Sequence, residues 1–156
     1  AVRTLALSQQ TAGNLEVFHH NTFTNNIVYA DLVFSIPHIP AEDLWLVRLF
    51  SVLLPQVGNG YRSYEETLEY TQENTGGIGA FTMLNHQVQE ASSFMPTFHL
   101  RGKAMYHKAD KFFGLLFDMV TNPNFTDRTR LKELILKHYT NLQSGFVSGS
   151  LKYAMN

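Results

Sequence analysis

The stretch Asn74-Thr75-Gly76-Gly77-Ile78 separates a helix-like run from a strand-like run, and the fold of the chain depends on it. Upstream, Ser63-Tyr64-Glu65-Glu66 has the sequence of a capping box, in which the serine hydroxyl and the second glutamate carboxylate each accept a backbone N–H. This motif predicts a helix that runs to about Asn74. The two glycines then supply backbone conformations with φ > 0, which end the helix and reverse the chain.

Downstream of the glycines, apolar and other residues alternate from Ile78 to about Gln89, which is the periodicity of a β-strand. A phosphate-binding loop would need a strand before its glycines and a helix after them. Here the order is reversed, so we interpret Gly76-Gly77 as a helix-to-strand turn.

Upstream of the capping box, the clearest strand runs from Ile27 to Ile36. One face of it is apolar and the other is mixed, which predicts an antiparallel sheet covered by helices on one side and partly solvated on the other. The apolar face carries Val28, Ala30, Leu32, Phe34 and Ile36. Before this strand we expect a leading segment over residues 1–13, a short strand at Leu15–Phe18 and a polar turn at Asn21–Asn26.

Three further helices are predicted. After a break at Pro37–Pro40, the run Leu44–Leu54 is apolar almost all round, so we expect it to lie buried between the sheet and another helix layer. A helix from about Tyr106 to Val120 should place Phe112, Phe113 and Phe117 in the core. A last helix begins near Thr126-Asp127. Its predicted buried stripe consists of Leu131, Leu134, Ile135, His138 and Leu142.

The third strand of the sheet is marked by Phe94, Pro96, Phe98 and Leu100, after an expected hairpin loop at Glu90–Ser93. Because proline cannot donate to a ladder, this strand should be an edge or carry a bulge at Pro96. The fold class is therefore α+β, with helices packed on one face of an antiparallel sheet.

Length and composition narrow the classes of function. A chain of 156 residues with 44% hydrophobic content fits one domain with a real core. With a net charge of −1, no basic face is visible for a nucleic-acid partner, and no apolar run reaches the ~18 residues that a membrane span needs. The absence of cysteine excludes disulfides and thiolate metal sites. The sequence leaves the compartment unknown, with bacterial cytoplasm or periplasm and an organelle matrix as the options for a soluble protein. Since no initiator Met is present and the chain stops within a helix-like run at Asn156, we expect an excised fragment.

No constellation of catalytic or metal-binding residues is predicted from the sequence. The seven histidines include no His-Glu-x-x-His or His-x-x-Glu-His pattern, and the adjacent His19-His20 would point to opposite faces of a strand. A Gly-x-Ser-x-Gly elbow is absent. Glu65, Glu66 and Glu69 are interpreted as helix-dipole partners, and Asp127 as a helix cap. We therefore predict no catalytic, cofactor-binding or metal-ligating residue.

A series of short motifs carries a resemblance to a known family. In order they are Thr24-Asn25-Asn26-Ile27-Val28-Tyr29, Leu49-Phe50-Ser51, Gly58, Ser63-Tyr64-Glu65-Glu66, Thr75-Gly76-Gly77-Ile78, Gly102-Lys103-Ala104, Phe125-Thr126-Asp127, Arg130-Leu131-Lys132, Ser148-Gly149 and Tyr153-Ala154. From about Thr24 onward, the series resembles the presequence-protease branch of the insulinase-type zinc metallopeptidases, which have an inverted zinc motif.

The resemblance implies a protein of two halves, each with two related α+β domains, joined by a helical hairpin. Residues 1–156 would form a single, incomplete domain, the first of the C-terminal half. In the family, zinc is held in the N-terminal half by a His-x-x-Glu-His helix and a later Glu, and the motif Glu acts as general base. None of those positions exists here, so the resemblance transfers no catalytic residue.

What the resemblance implies is a non-catalytic wall of a chamber that encloses unstructured peptides such as presequences. Its partners would be the N-terminal catalytic half, the peptides and, for the isolated fragment, a second copy. Zinc would belong to the parent metalloendopeptidase and not to this segment. The alternative is a stand-alone α+β interaction or assembly domain of the same superfamily. A His-x-x-Glu-His sequence upstream in the same reading frame would decide between the two.

Overall fold

The computed structural model describes residues 6–36, 39–87 and 90–154. Within these ranges the chain forms seven strands, four α-helices and three short 3-10 helices. In chain order the strands and α-helices are β1 (Leu7–Ala12), β2 (Leu15–His20), β3 (Ile27–Ser35), α1 (Leu44–Leu53), β4 (Gly58–Asn59), α2 (Tyr64–Asn74), β5 (Ile78–Gln87), β6 (Glu90–Met105), α3 (Ala109–Thr121), β7 (Pro123–Asn124) and α4 (Arg128–Ala154). The 3-10 helices are Ala41–Asp43, Leu54–Gln56 and Tyr106–Lys108.

The main sheet is antiparallel and has the strand order β3-β6-β5. In its register, Leu32 of β3 and Ala80 of β5 both pair with Leu100 of β6, so these three side chains share one face. That face packs against the helices, and the opposite face is partly solvated. The predicted α+β fold class and one-sided helix layer are confirmed.

The predicted capping box begins α2. The Ser63 N–H donates to the Glu66 carboxylate over 2.8 Å, and the Glu66 N–H donates to the Ser63 hydroxyl over 3.2 Å. At the other end Gly77 has φ +109°, as the turn requires, whereas Gly76 is not in the left-handed region. Gly76 is instead needed for close approach, because its N–H donates to the Lys103 carbonyl over 2.7 Å and a Cβ would lie 3.0 Å from the Lys103 side chain. This turn places β5 beside β6.

The core lies between the sheet and α3, with the start of the second 3-10 helix at its edge. Leu100, Phe112 and Met119 have no exposed surface, which places the centre of β6 and one face of α3 at the middle of the core. The buried residues of this cluster are Leu54, Phe98, Leu100, Ala104, Phe112, Leu115, Leu116 and Met119. The predicted apolar face of β3 contributes Val28, Ala30, Leu32 and Ile36, as expected.

The structure has a hairpin at its start that the sequence interpretation missed. Residues read as a leading segment form β1, which pairs antiparallel with β2 through the two-residue turn Gly13-Asn14. Gly13 has φ +63° while Asn14 is not in the left-handed region, which is the pattern of a type II′ turn. A Gly-Asn pair between two short strands was the signal for this hairpin.

Two expectations about β6 are wrong. Glu90–Ser93 is not a loop, because β6 begins at Glu90, paired with Gln87. Nor is β6 an edge strand, since it lies between β3 and β5. Pro96 is tolerated because the pairing with β3 stops there: the Ile36 N–H donates to the Pro96 carbonyl over 3.0 Å, and the Pro96 nitrogen faces the same way, beyond the end of β3. The register shift lies between His86 and Gln87 instead.

The helices begin and end close to their predicted positions, but several expected core residues are exposed. On α1, Leu44, Trp45 and Leu46 are 51%, 60% and 45% exposed, so this helix is not buried all round. On α3, Phe112 is buried while Phe113 and Phe117 are exposed. The stripe of α4 is buried only at Leu134, with Leu131 and His138 half-buried and Ile135 and Leu142 exposed. The sequence pattern identified apolar faces correctly, but parts of them have no cover within the described residues.

Three expectations fall partly outside the described residues: the break at Pro37-His38, the strand end at Val88-Gln89 and the chain end beyond Ala154. Among the helices that are described, none has both the length and the apolar character needed to cross a membrane.

Candidate functional site

The open face of the main sheet carries a polar cluster, here called the open-face cluster: Asp31, Phe81, Thr97, His99 and Arg101. Cross-strand pairing assembles it. Asp31 of β3 pairs with Arg101 of β6, and Phe81 of β5 pairs with His99 of β6. Since Thr97, His99 and Arg101 alternate along one strand, their side chains share the face turned away from the helices.

His99 is the centre of the open-face cluster. Its Nδ1 lies 3.1 Å from an Asp31 carboxylate oxygen and its Nε2 lies 2.9 Å from the Thr97 hydroxyl. The imidazole stacks on the Phe81 ring, with the centroids 5.0 Å apart and the planes 7° from parallel. Both ring nitrogens therefore have partners, as a buried histidine requires.

Arg101 closes the cluster toward solvent. Its guanidinium donates to one Asp31 oxygen from Nη2 over 2.6 Å and from Nε over 3.2 Å, and it lies over the Phe81 ring at 4.8 Å. With its side chain 56% exposed, Arg101 is the member that can reach a ligand on this face.

The order hydroxyl, imidazole, carboxylate is that of a nucleophilic triad. A nucleophile must reach substrate, however, and Thr97 and His99 are only 5% and 6% exposed. We interpret the hydrogen bonds of Thr97 and His99 as holding Asp31, and through it Arg101, in a fixed position. The open-face cluster is therefore a preorganised cation–carboxylate surface and not a catalytic centre.

A second feature is a groove of about 620 Å³ between α2 and the end of α3, here called the acidic groove. Its lining includes one arginine and four carboxylates, so its net charge is negative. The lining residues are Gly60, Tyr61, Arg62, Glu66, Glu69, Tyr70, Glu73, Asp118 and Asn122.

Arg62 fixes the shape of the acidic groove. It forms an ion pair with Asp118 at 3.0 Å and its guanidinium lies 4.1 Å from the centre of the Tyr70 ring. Because that cation is held by one carboxylate and one aromatic ring, Glu69 and Glu73 dominate the remaining potential on the α2 side. Tyr61 is fully exposed at the rim.

The start of α2, beside the acidic groove, contains two titrating groups with shifted pKa values. A hydrogen bond with the Glu65 side chain raises the pKa of Tyr64, and the same hydrogen bond lowers the pKa of Glu65. Both side chains are on the surface, and Arg130 of α4 lies over the Tyr64 ring at 4.2 Å. The predicted cap at Asp127 is confirmed, since its carboxylate accepts the Arg130 N–H over 2.9 Å.

The described residues do not fit a zinc site. No group of three or more His, Asp or Glu side chains converges among them. The Asp31–His99 pair provides only two such groups, and both are already held by Thr97 and Arg101. His19 and His20 pair with Ser8 and Leu7 respectively, so they point to opposite faces of their hairpin.

Sequence reasoning could not find the open-face cluster, because Asp31 is 68 residues from His99. The alternation Thr97, His99, Arg101 along a strand was visible as a polar face, but its partner strand and register were not. The acidic groove had a partial signal in the glutamates at helical spacing on α2, whereas the opposing Asp118 lies 56 residues from Arg62.

Comparison with known proteins agrees with the resemblance noted in the sequence. A family model for the region associated with peptidases of metallopeptidase family 16, subfamily C, matches residues 2–156. Presequence protease 1, chloroplastic/mitochondrial, from Arabidopsis thaliana is 31% identical over 121 residues, which are 78% of this chain and 11% of that protein. The mitochondrial presequence protease of Drosophila melanogaster is 26% identical over 132 residues, 85% of this chain and 13% of the relative. Protein HypA of Clostridium perfringens is 24% identical over 143 residues, 90% of this chain and 14% of the relative.

The chain thus spans between 11% and 14% of the length of these three relatives. Because the family model covers nearly all of it, the chain belongs to this peptidase-associated family and corresponds to a segment of presequence proteases.

Proposed function

We propose that this chain is a non-catalytic, chamber-forming segment of a zinc metalloendopeptidase that degrades unstructured peptides such as presequences. The observation that carries the proposal is the match of the peptidase-associated family model to residues 2–156, together with relatives named presequence proteases. Zinc and the residues that bind it would lie in another part of the longer protein, the N-terminal catalytic half, against which this segment would pack. The segment would be the first domain of the C-terminal half, and the names of its relatives favour an organelle as the compartment.

The one-sided architecture supports a wall-forming role. Helices cover one face of the β3-β6-β5 sheet, and the other face presents the open-face cluster with Arg101 fixed by Asp31. A sheet with a covered back and a polar, preorganised front is suited to line an enclosed space in which a peptide is held.

The acidic groove supports the choice of substrate class. Presequences that direct proteins to mitochondria and chloroplasts are rich in arginine and poor in acidic residues. Carboxylates of Glu69 and Glu73 beside the aromatic rings of Tyr61 and Tyr70 provide charge and cation–π partners for arginine side chains. We propose that the acidic groove contacts basic side chains of the peptide.

The test uses the longer protein that carries this segment, with its zinc content measured and an unstructured, arginine-rich peptide as substrate. The double variant Glu69→Gln/Glu73→Gln should raise KM roughly 2- to 30-fold with kcat nearly unchanged, since each exposed charge pair contributes about 0.2–1 kcal/mol. The effect should shrink at high salt because the charges are exposed.

The matched control is Glu42→Gln/Asp43→Asn, which removes the same two charges from an exposed site outside the acidic groove. Equal KM values for the two double variants would contradict the role of the groove. A longer protein that binds no zinc, cleaves no unstructured peptide and lacks a His-x-x-Glu-His sequence would contradict the proposed function itself and favour an assembly domain.

A further inference from the structure

The hairpin formed by β1 and β2, Leu7–His20, stands out because all of its strand residues are exposed. Exposure includes large apolar side chains: Leu7 is 56% exposed, Leu15 64% and Phe18 54%. An isolated two-stranded hairpin is marginally stable in water, because it has too little apolar contact to offset the ordering of its backbone. Its structure therefore calls for cover from outside the described residues.

Neither face of the hairpin is a solvent face. On one face the cross-strand pairs are Leu7 with His20 and Gln9 with Phe18. On the other face they include Ala12 with Leu15 and Gln10 with Val17. A hairpin lying on its own domain would bury one apolar face and expose a polar one. Here both faces have an apolar side chain at the centre or the end.

The charge content of the hairpin points the same way. Among its twelve strand residues Glu16 is the only charged one, and lysine, arginine and proline are absent. Edge strands that remain in solvent are normally protected by lysine, proline or inward charges. Depletion of charge with retention of aromatic and aliphatic residues is instead the composition of the centre of an interface.

We propose that the hairpin Leu7–His20 is a docking arm whose occupied site is an apolar surface in another part of the same longer polypeptide. The proposal rests on the proposed function, in that it takes this chain as one segment of a longer peptidase. The length of the relatives supports this occupant: the chain accounts for at most 14% of the three relatives described above, so most of each lies outside the matched segment. An arm with apolar residues on both faces fits between two surfaces of such a protein better than it fits solvent.

The experiment is amide hydrogen exchange of the hairpin in the 156-residue chain and in the longer protein. Exchange in β1 and β2 should be at least roughly tenfold slower in the longer protein, while β5 and β6 serve as an internal reference. Phe18→Ser should accelerate hairpin exchange in the longer protein several-fold. It should leave the unfolding midpoint of the isolated chain unchanged, because Phe18 is already exposed there.

Gln9→Ser is the matched control, since Gln9 pairs with Phe18 across the hairpin on the same face but is polar. Equal exchange in the two variants of the longer protein would overturn the proposal. So would protection of the hairpin in the isolated chain that rises with its concentration, because the occupant would then be a second copy. A longer protein that degrades peptides but leaves the hairpin unprotected would refute the docking arm alone. Protection of the hairpin without zinc-dependent peptidase activity would refute the proposed function alone.

Discussion

Gly77 offers the sharpest test of how this fold is built, because the chain provides a matched glycine two residues away. Gly77 has φ +109°, whereas Gly79 in β5 is outside the left-handed region. A Cβ at either position would meet no heavy atom within 4 Å. The substitutions Gly77→Val and Gly79→Val therefore differ in backbone conformation and not in space.

The expected magnitudes follow from that difference. A β-branched residue held at positive φ costs about 1–3 kcal/mol. The loss of backbone freedom in the unfolded chain returns about 0.4–1 kcal/mol for either variant. Valine favours a strand, so Gly79→Val should be neutral or stabilising by up to about 1 kcal/mol. For a domain of this size each kcal/mol shifts Tm by about 2–4 °C, so Gly77→Val should melt roughly 2–12 °C below Gly79→Val.

The assay is chemical denaturation of both variants and the unsubstituted chain, followed by circular dichroism, with thermal melts alongside. A lower midpoint for Gly77→Val with an unchanged m-value is the expected result. Equal midpoints for the two variants would refute the assignment of the helix-to-strand reversal to a left-handed residue at Gly77.

Four further predictions concern the core, the cap, titration and association. Leu100→Ala should cost about 2–5 kcal/mol, because Leu100 has no exposed surface at the centre of β6; a midpoint close to that of the unsubstituted chain would contradict the core as described. Ser63→Ala should cost about 0.5–2 kcal/mol through loss of the capping box, and Ser63→Thr should retain most of the stability. Tyr64→Phe should raise the pKa of Glu65 toward its ordinary value, as measured by NMR titration, because the Tyr64 hydrogen bond is the main cause of its lowering. A lowered carboxyl pKa adds stability above the ordinary value that is lost as the pH falls, so this pH dependence should shrink in the variant. The isolated chain should self-associate through the exposed apolar residues of α1 and the open edge of β3; light scattering across a concentration series checks this, and a strict monomer at high concentration would contradict it.

Local signals in the sequence were sufficient wherever neighbouring residues determine the structure. The capping box at Ser63 and the reversal at Gly77 each depend on contacts within a few residues, and both are confirmed. The alternation of β3 gave its core face correctly for the same reason. The type II′ turn at Gly13-Asn14 was equally local and was missed only because the polar residues around it were read as a leading segment.

Strand order and register are properties of the whole chain, and there the local signals failed. Pro96 indicated an edge strand, yet β6 became central because β3 ends before it would need a donor from Pro96. The open-face cluster depends on the same register, since Asp31 meets His99 and Arg101 only through the pairing of β3 with β6. A sequence pattern shows that a residue faces one side of a strand but not which strand lies beside it.

The errors in predicted burial have a common physical cause. Periodicity identifies which face of a helix is apolar, but burial also needs a surface to cover that face. Trp45 on α1, Phe117 on α3 and Phe18 in the hairpin are each more than half exposed, although their elements differ in type and position. Monomeric proteins rarely leave so many large apolar side chains in solvent, and a segment that forms one wall of a larger structure must do so when taken alone. The exposed apolar faces therefore support a segment that packs against the rest of a longer peptidase, which is the role that membership in the peptidase-associated family favours.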